Sequence, residues 1–150
     1  MFHISRKADY AIRAMLCLAR CSGRDVALVR DISAEMGVPA ALLAKILQDF
    51  GKIGLVRSRR GKGGGFQLGR PARRISLLEI VTAVDGAIAI NRCVVERGSC
   101  GRESFCTVHP VWKTIQRSLM AELGKVSLHQ LSRGASQGPP GSHRAASGRS

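Results

Sequence analysis

Aromatic side chains make up only 4% of this 150-residue chain. That is few for a protein that stacks single-stranded bases on aromatic platforms. Acid is scarce as well: 10 Asp and Glu stand against 24 Lys and Arg, a formal net charge of +14. Such an imbalance points to a polyanionic partner, nucleic acid or an anionic membrane surface. No run approaches the ~18 consecutive apolar residues of a membrane span. Asp9 and Arg13 interrupt the apolar stretch from Ala8 to Ala19, which argues against a signal peptide. The expectation is a cytoplasmic protein without a membrane partner.

Catalytic signatures are missing too. The run Gly61-Lys62-Gly63-Gly64-Gly65 is not a phosphate loop. Lys62 is followed by Gly63 rather than Ser or Thr, and the dinucleotide pattern fails at Phe66. The extended Phe66-Gln67-Leu68 leads to Pro71 instead of opening a helix. No paired carboxylates or nucleophile–base set stands out, so no enzyme is expected. Five cysteines are an odd number. In a reducing compartment, clustered cysteines are more often ligands or redox groups than disulfides.

What is present reads as mostly α with a small β-hairpin, and the 45% of hydrophobic residues suffices for a core. Ser5 can cap a first helix reaching about Arg20, with Ile12, Met15, Leu16 and Ala19 on one face. Cys17 and Cys21, four residues apart, are read as ordinary helix residues rather than as a metal pair. A short helix near Arg30 to Met36 ends at Gly37. Pro39 suits the first turn of a third helix, in which Leu43, Ile46, Leu47 and Phe50 form one buried stripe. Gly51 and Gly54 are expected to end it. Its outer face is small or polar: Ala40, Ala41, Ala44, Lys45 and Gln48. Two short helices joined by a glycine turn, the second with such a face, describe a helix-turn-helix.

Two strand-like pieces then flank the glycine run as a β-hairpin. Between Arg57 and Arg74 lie seven Lys or Arg and no acid. A one-sign block beside a recognition-type helix reads as the wing of a winged helix-turn-helix. Arg57, Arg59, Arg60 and Lys62 would reach phosphates or the minor groove, and the backbone at Gly63 and Gly64 could approach closely. Ser76 and Glu79 fit a capping box that opens a fourth helix to about Val84.

The segment 87–109 lacks helical periodicity and holds Cys93, Cys100, Cys106 and His109, spaced Cys-x6-Cys-x5-Cys-x2-His. Three thiolates and an imidazole suit an iron–sulfur cluster or zinc. The wide gaps fit a larger cluster better than the tight cysteine pairs of zinc knuckles. From Pro110 a helix to about Leu123 aligns Trp112, Ile115, Leu119 and Leu123, a stripe read as a dimerisation surface. Residues 133–150 contain no Val, Ile, Leu, Met or aromatic residue and read as a disordered basic tail. The expected organisation is a winged helix-turn-helix over 1–86 and a cysteine loop over 87–109. A dimerisation helix with a closing helix follows over 110–132, then the tail over 133–150.

In this order the pieces resemble the bacterial iron–sulfur winged-helix regulators of the IscR/NsrR type, the Rrf-two family, over about residues 1–131. The resemblance rests on Asp9-Tyr10-Ala11, Gly54-Leu55-Val56, Arg60 to Phe66 and Ala83-Val84-Asp85-Gly86. It also rests on the three cysteines, His109-Pro110-Val111-Trp112, and Ser127-Leu128 with Leu131. It implies a dimeric transcription factor whose DNA binding follows cluster state, with Cys93, Cys100 and Cys106 as ligands. His109 matches the fourth ligand of IscR-like members and implies a 2Fe–2S cluster, with 4Fe–4S as the alternative. Asp9 stands where NsrR-like members supply a ligand from the partner subunit. Two positions depart from the pattern. The first cysteine gap is six where five is common, and Ala44 replaces the longer polar side chain of some members.

The expected function is therefore a repressor that binds a palindromic double-stranded DNA operator as a homodimer under cluster control. Two rival readings remain. One is a zinc-bound or thiol-switch regulator without a cluster. The other is a small iron–sulfur carrier or redox protein, which would have little use for a basic wing.

Overall fold

A computed structural model of the chain describes residues 3–21 and 26–134. Helix α1 (Arg6–Arg20) begins where the Ser5 cap places it, with the Ser5 hydroxyl accepting from the Ala8 N–H at 3.0 Å. The same hydroxyl donates to the carboxylate of Asp85, whose other oxygen accepts from the Ser5 N–H at 3.1 Å. The buried face of α1 is broader than the expected stripe. Ala8, Ala11, Ala14, Met15, Cys17, Leu18 and Ala19 are buried, whereas Ile12 and Leu16 are only half-buried. The cause is tertiary: every later helix of the core, α5 apart, leans on α1, and its alanines permit the closest approach.

Helix α2 (Val29–Met36) ends at Gly37, which has the left-handed φ of 63°. Helix α3 (Ala40–Lys52) follows Pro39, which stands at the cap rather than inside the first turn. Leu43, Ile46, Leu47 and Phe50 are all buried, as the periodicity predicts. Gly51 does not end the helix. It lies within the last turn, and Gly54 makes the left-handed break at φ 77°.

Strands β1 (Val56–Arg59) and β2 (Gly65–Leu68) pair antiparallel, with Val56 opposite Leu68 and Arg59 opposite Gly65. Ala27 adds a third rung, exchanging N–H to O bonds of 2.8 Å in both directions with Phe66. This contact requires glycine at position 65, and the turn of the hairpin itself requires it at position 64. A Cβ on Gly65 would sit 2.6 Å from the Ala27 carbonyl oxygen, and one on Gly64 would sit 2.3 Å from that of Arg59.

Helix α4 (Leu77–Asp85) carries both arms of the Ser76–Glu79 capping box. Helix α5 (His109–Lys125) starts one residue earlier than expected, so His109 belongs to the helix and not to the loop. The loop itself is not wholly irregular, since Arg92–Val94 forms a 3-10 turn. After α5 the chain returns to the core. Leu77 N–H donates to Val126 at 2.9 Å, Leu128 N–H donates to Ile75 at 2.8 Å, and Leu128 is fully buried. Helix α6 (Leu128–Gly134) thereby closes on α1. It also takes in Arg133 and Gly134, which the sequence pattern assigned to the tail. The remainder of that tail lies outside the described residues.

Glu79 ties the wing to this scaffold. Its Oε1 lies 2.6 Å from Arg70, and its Oε2 accepts from the Ser76 N–H at 2.9 Å. Burial pushes the carboxyl up, but the Ser76 N–H and Arg70 outweigh it and hold it below its ordinary value. A carboxylate with a depressed folded pKa stabilises the fold above the ordinary glutamate range and loses that effect as pH falls through the folded pKa. Glu79→Gln is expected to cost about 1 kcal/mol at neutral pH. The gap to the parent should close on acidification below about pH 4. Urea unfolding at neutral and acidic pH checks both, and a gap independent of pH would contradict the assignment.

Candidate nucleic-acid interface and cysteine loop

The outer face of α3 is set by what its inner face buries. Ala41, Lys45, Gln48 and Lys52 recur at helical spacing on the exposed side, with Pro39 and Ala40 exposed at the helix start. Ala44 is half-buried, which takes it partly out of reach. Between α3 and the wing runs a groove of about 810 Å³ lined by Gln48, Lys52, Arg57, Arg59 and Arg60, with no acid among the described residues that line it. Arg57, Arg59, Arg60 and Lys62 are exposed and enter no ion pair among the described residues. An unpaired guanidinium on an exposed strand is free to neutralise a phosphate.

The far side of the wing differs. A second groove of about 690 Å³ is lined by Asp31, Arg59 and the backbone of Gly61, Gly63 and Gly64. The Asp31 carboxylate disfavours a phosphate there, so the α3 side is the better anion path. Not all seven basic residues of the block face outward as free charges. Arg70 is engaged by Glu79 and by the Arg74 carbonyl at 3.1 Å, a structural role that a charge count does not reveal.

The cysteine loop spans the gap between α4 and α5. Cys93 sits in the 3-10 turn and is half-buried like Cys106, while Cys100 is exposed; all three thiols are free. No group of three or more His, Cys, Asp or Glu side chains among the described residues is assembled tightly enough to hold a metal ion. The four sequence-predicted ligands are therefore neighbours in one segment without converging on a point. Asp9 is engaged elsewhere, in an ion pair of 2.6 Å with Arg13.

His109 is the exception to this open arrangement. It is 7% exposed, the sole buried residue of α5. Its Nδ1 is buried without a hydrogen-bond partner, and its Nε2 faces Glu103 at 3.5 Å. A buried imidazole nitrogen without a hydrogen-bond partner is a donor atom that a metal centre could use. By donor chemistry, three free thiols and this nitrogen fit an iron–sulfur cluster.

Gln116, which the sequence pattern passed over, joins loop to helix. Its amide donates to the Ile88 carbonyl at 2.6 Å and accepts from the Ile90 N–H at 3.0 Å. The available signal was a polar residue adjoining an apolar stripe. In that stripe Trp112 and Ile115 are exposed and Leu119 and Leu123 half-buried, and Val108 and Val111 extend the exposed apolar surface. No helix among the described residues is long and apolar enough to cross a membrane.

A helix-turn-helix followed by a basic two-stranded wing defines a winged-helix DNA-binding protein, and the chain belongs to the Rrf2 family. The family model, described as an iron-dependent transcriptional regulator, matches residues 4–134. The chain is 35% identical over 128 residues to the HTH-type transcriptional regulator IscR of Xenorhabdus nematophila, covering 85% of this chain and 77% of the relative. It is 33% identical to IscR of Klebsiella pneumoniae, covering 85% and 78%. Among solved structures, T. potens IscR superposes with a TM-score of 0.71 at 25% identity, covering 89% of this chain and 88% of that one. CymR, the global cysteine regulator of B. subtilis, superposes with a TM-score of 0.75 at 22% identity, covering 89% and 98%, and shares the fold. The protein is thus a DNA-binding transcriptional regulator of the Rrf2/IscR type and not an enzyme.

The two helix cysteines behave differently from the loop. Burial pushes the Cys17 thiol up to about 12, aided by the Glu35 carboxylate that accepts from it at 3.4 Å. Cys21 is exposed. Because the thiolate is the nucleophile, iodoacetamide at neutral pH should label Cys21 and Cys100 in the native metal-free protein and spare Cys17 until the fold is opened. Peptide mass mapping checks this, and rapid native labelling of Cys17 would contradict its placement.

Proposed function

We propose that this regulator is a homodimeric repressor of a palindromic double-stranded DNA operator, controlled by an iron–sulfur cluster on its cysteine loop. The acid-free groove between α3 and the wing carries the DNA part of the reading. Lys45 and Gln48, with Pro39, Ala40, Ala41 and Ala44 around them, face the major groove. Arg57, Arg59, Arg60 and Lys62, with the Gly63 and Gly64 backbone, hold phosphates or the minor groove. The exposed apolar face of α5, with Trp112 and Ile115 at its centre and Leu119 and Leu123 along it, is covered by a second copy. The dimer sets two recognition helices about one DNA turn apart. Such a protein works where the chromosome is, in the cytoplasm.

Cys93, Cys100, Cys106 and His109 would hold the cluster, 2Fe–2S ahead of 4Fe–4S, with Asp9 of a partner subunit as the alternative fourth ligand. When bound, the cluster supplies a redox-active and labile centre. The chain's own part is mechanical. The loop must draw together around the ligands, as metal sites that form on binding do. Gln116 holds residues 88–90 to α5, so a change in loop path bears directly on the helix that spaces the two DNA-binding units. The organisation into units over 1–86, 87–109 and 110–132 follows from that division of labour.

A second reading deserves a test because the thiols are free and unassembled: a cluster-free regulator whose loop cysteines respond to oxidation. A solved relative at 25% identity is described as an oxidised form of Staphylococcus aureus CymR.

Anaerobic purification and reconstitution should yield coloured protein containing iron and sulfide. Cys100→Ala should lose both while keeping its helical circular dichroism. Stoichiometric zinc, or no cluster after reconstitution, would favour the cluster-free reading. For the DNA part, gel shifts on an operator fragment should lose about a thousandfold in affinity or more between about 50 and 200 mM salt if both wings engage phosphates. Arg59→Ala should weaken binding across sequences and flatten that slope. A salt-independent affinity would remove the wing from the interface.

A further inference from the structure

We infer that Glu103 is a positioning residue for His109, holding the proton on Nε2 and leaving Nδ1 as the atom that ligates the cluster. The inference rests on the cluster reading above and adds the identity of the ligating atom and of the group that selects it.

His109 is buried at the first turn of α5, and its two ring nitrogens lie in unlike surroundings. Nε2 lies 3.5 Å from Glu103 Oε1. Nδ1 is buried and without a partner. A neutral imidazole carries one N–H and one lone pair, and the environment of one nitrogen decides the state of the other. A carboxylate accepts and does not donate, so the nitrogen beside Glu103 is the one that keeps the proton. The lone pair then falls on Nδ1, in a place where no protein donor reaches it. A buried acceptor without a donor is a cost that a metal ligand does not bear.

Glu103 is itself held. Its Oε2 accepts from the Gly98 N–H at 2.8 Å, and its own N–H donates to the Cys100 carbonyl at 3.2 Å. Gly98 has φ 77°, a left-handed turn two residues before Cys100. One carboxylate therefore joins the turn that leads into Cys100 to the imidazole that follows Cys106. Carboxylates behind metal-ligating histidines act in this way, fixing tautomer and ring orientation. Glu103 stands between two of the proposed thiolate ligands, so its position in the chain serves the same end.

The test begins with full-length, cluster-free protein carrying ¹⁵N-histidine. Long-range ¹H–¹⁵N spectra under conditions where the imidazole is neutral report which ring nitrogen bears the proton, and the His109 signal is identified by its loss in His109→Gln. The expected result is a single Nε2–H form in the parent. That form should give way to a mixture of tautomers in Glu103→Ala. It should do so too in the near-isosteric Glu103→Gln, whose amide has one accepting atom for two donors. After reconstitution, both variants should release iron to a chelator about tenfold faster than the parent.

An Nδ1–H form in the parent overturns the assignment of the ligating atom. A tautomer unchanged in both variants, or unchanged iron release from both, overturns the role of Glu103. A parent that takes up neither iron nor sulfide while keeping a fixed Nε2–H form overturns the cluster reading and not the Glu103–His109 contact. The two failures are therefore distinguishable.

Discussion

The close burial of the alanine-rich face of α1 is the constraint on which the other elements depend. Ala8, Ala11 and Ala14 are fully buried, and side chains this small permit close packing of the neighbouring elements. Helix α4 packs on α1 and is fastened at its C-terminus by two hydrogen bonds from Ser5 to Asp85. Helix α6 packs on α1 as well, delivered by the Ser76–Ser127 bridge. With both ends of the later chain anchored to one helix, α5 packs against α4 with only His109 buried. That leaves Val111, Trp112 and Ile115 exposed on its surface. A larger side chain at Ala11 or Ala14 would overpack this core.

The DNA-facing half follows from the same economy of burial. Leu43, Ile46, Leu47 and Phe50 consume the inner face of α3, and the outer face is left to small and polar groups. The wing is held by the Ala27–Phe66 exchange on β2 and, just past β2, by Arg70 with Glu79, while Arg57, Arg59, Arg60 and Lys62 enter no ion pair among the described residues. Charge that holds the fold and charge that is free for DNA are thus separated along a single hairpin.

Much of this was legible in the sequence because it depends on local rules. Periodicity placed the α3 core, Gly37 the end of α2, and Ser76 with Glu79 the start of α4. A run of basic residues around glycines placed the wing. What periodicity missed was tertiary. The true face of α1 is defined by helices far along the chain, which turned Ile12 and Leu16 partly outward. The return of α6 through residues 126–128 and the side-chain clasp of Gln116 on residues 88–90 are long-range contacts with no local signature. The cysteine spacing named a set of candidate ligands. It could not say that the chain leaves the thiols apart, nor that one nitrogen of His109 is buried alone.

The glycines of the wing separate its path from its charge. At Gly64 and Gly65 any side chain collides with a backbone carbonyl, so the course of the hairpin is closed to gradual change. Arg59, Arg60 and Lys62 beside them are solvent-facing and bear no weight in the fold. The trajectory of the wing and its chemical lettering are therefore independent variables. The charge of the wing, and with it the strength of its hold on phosphate, can change one substitution at a time on a fixed stylus.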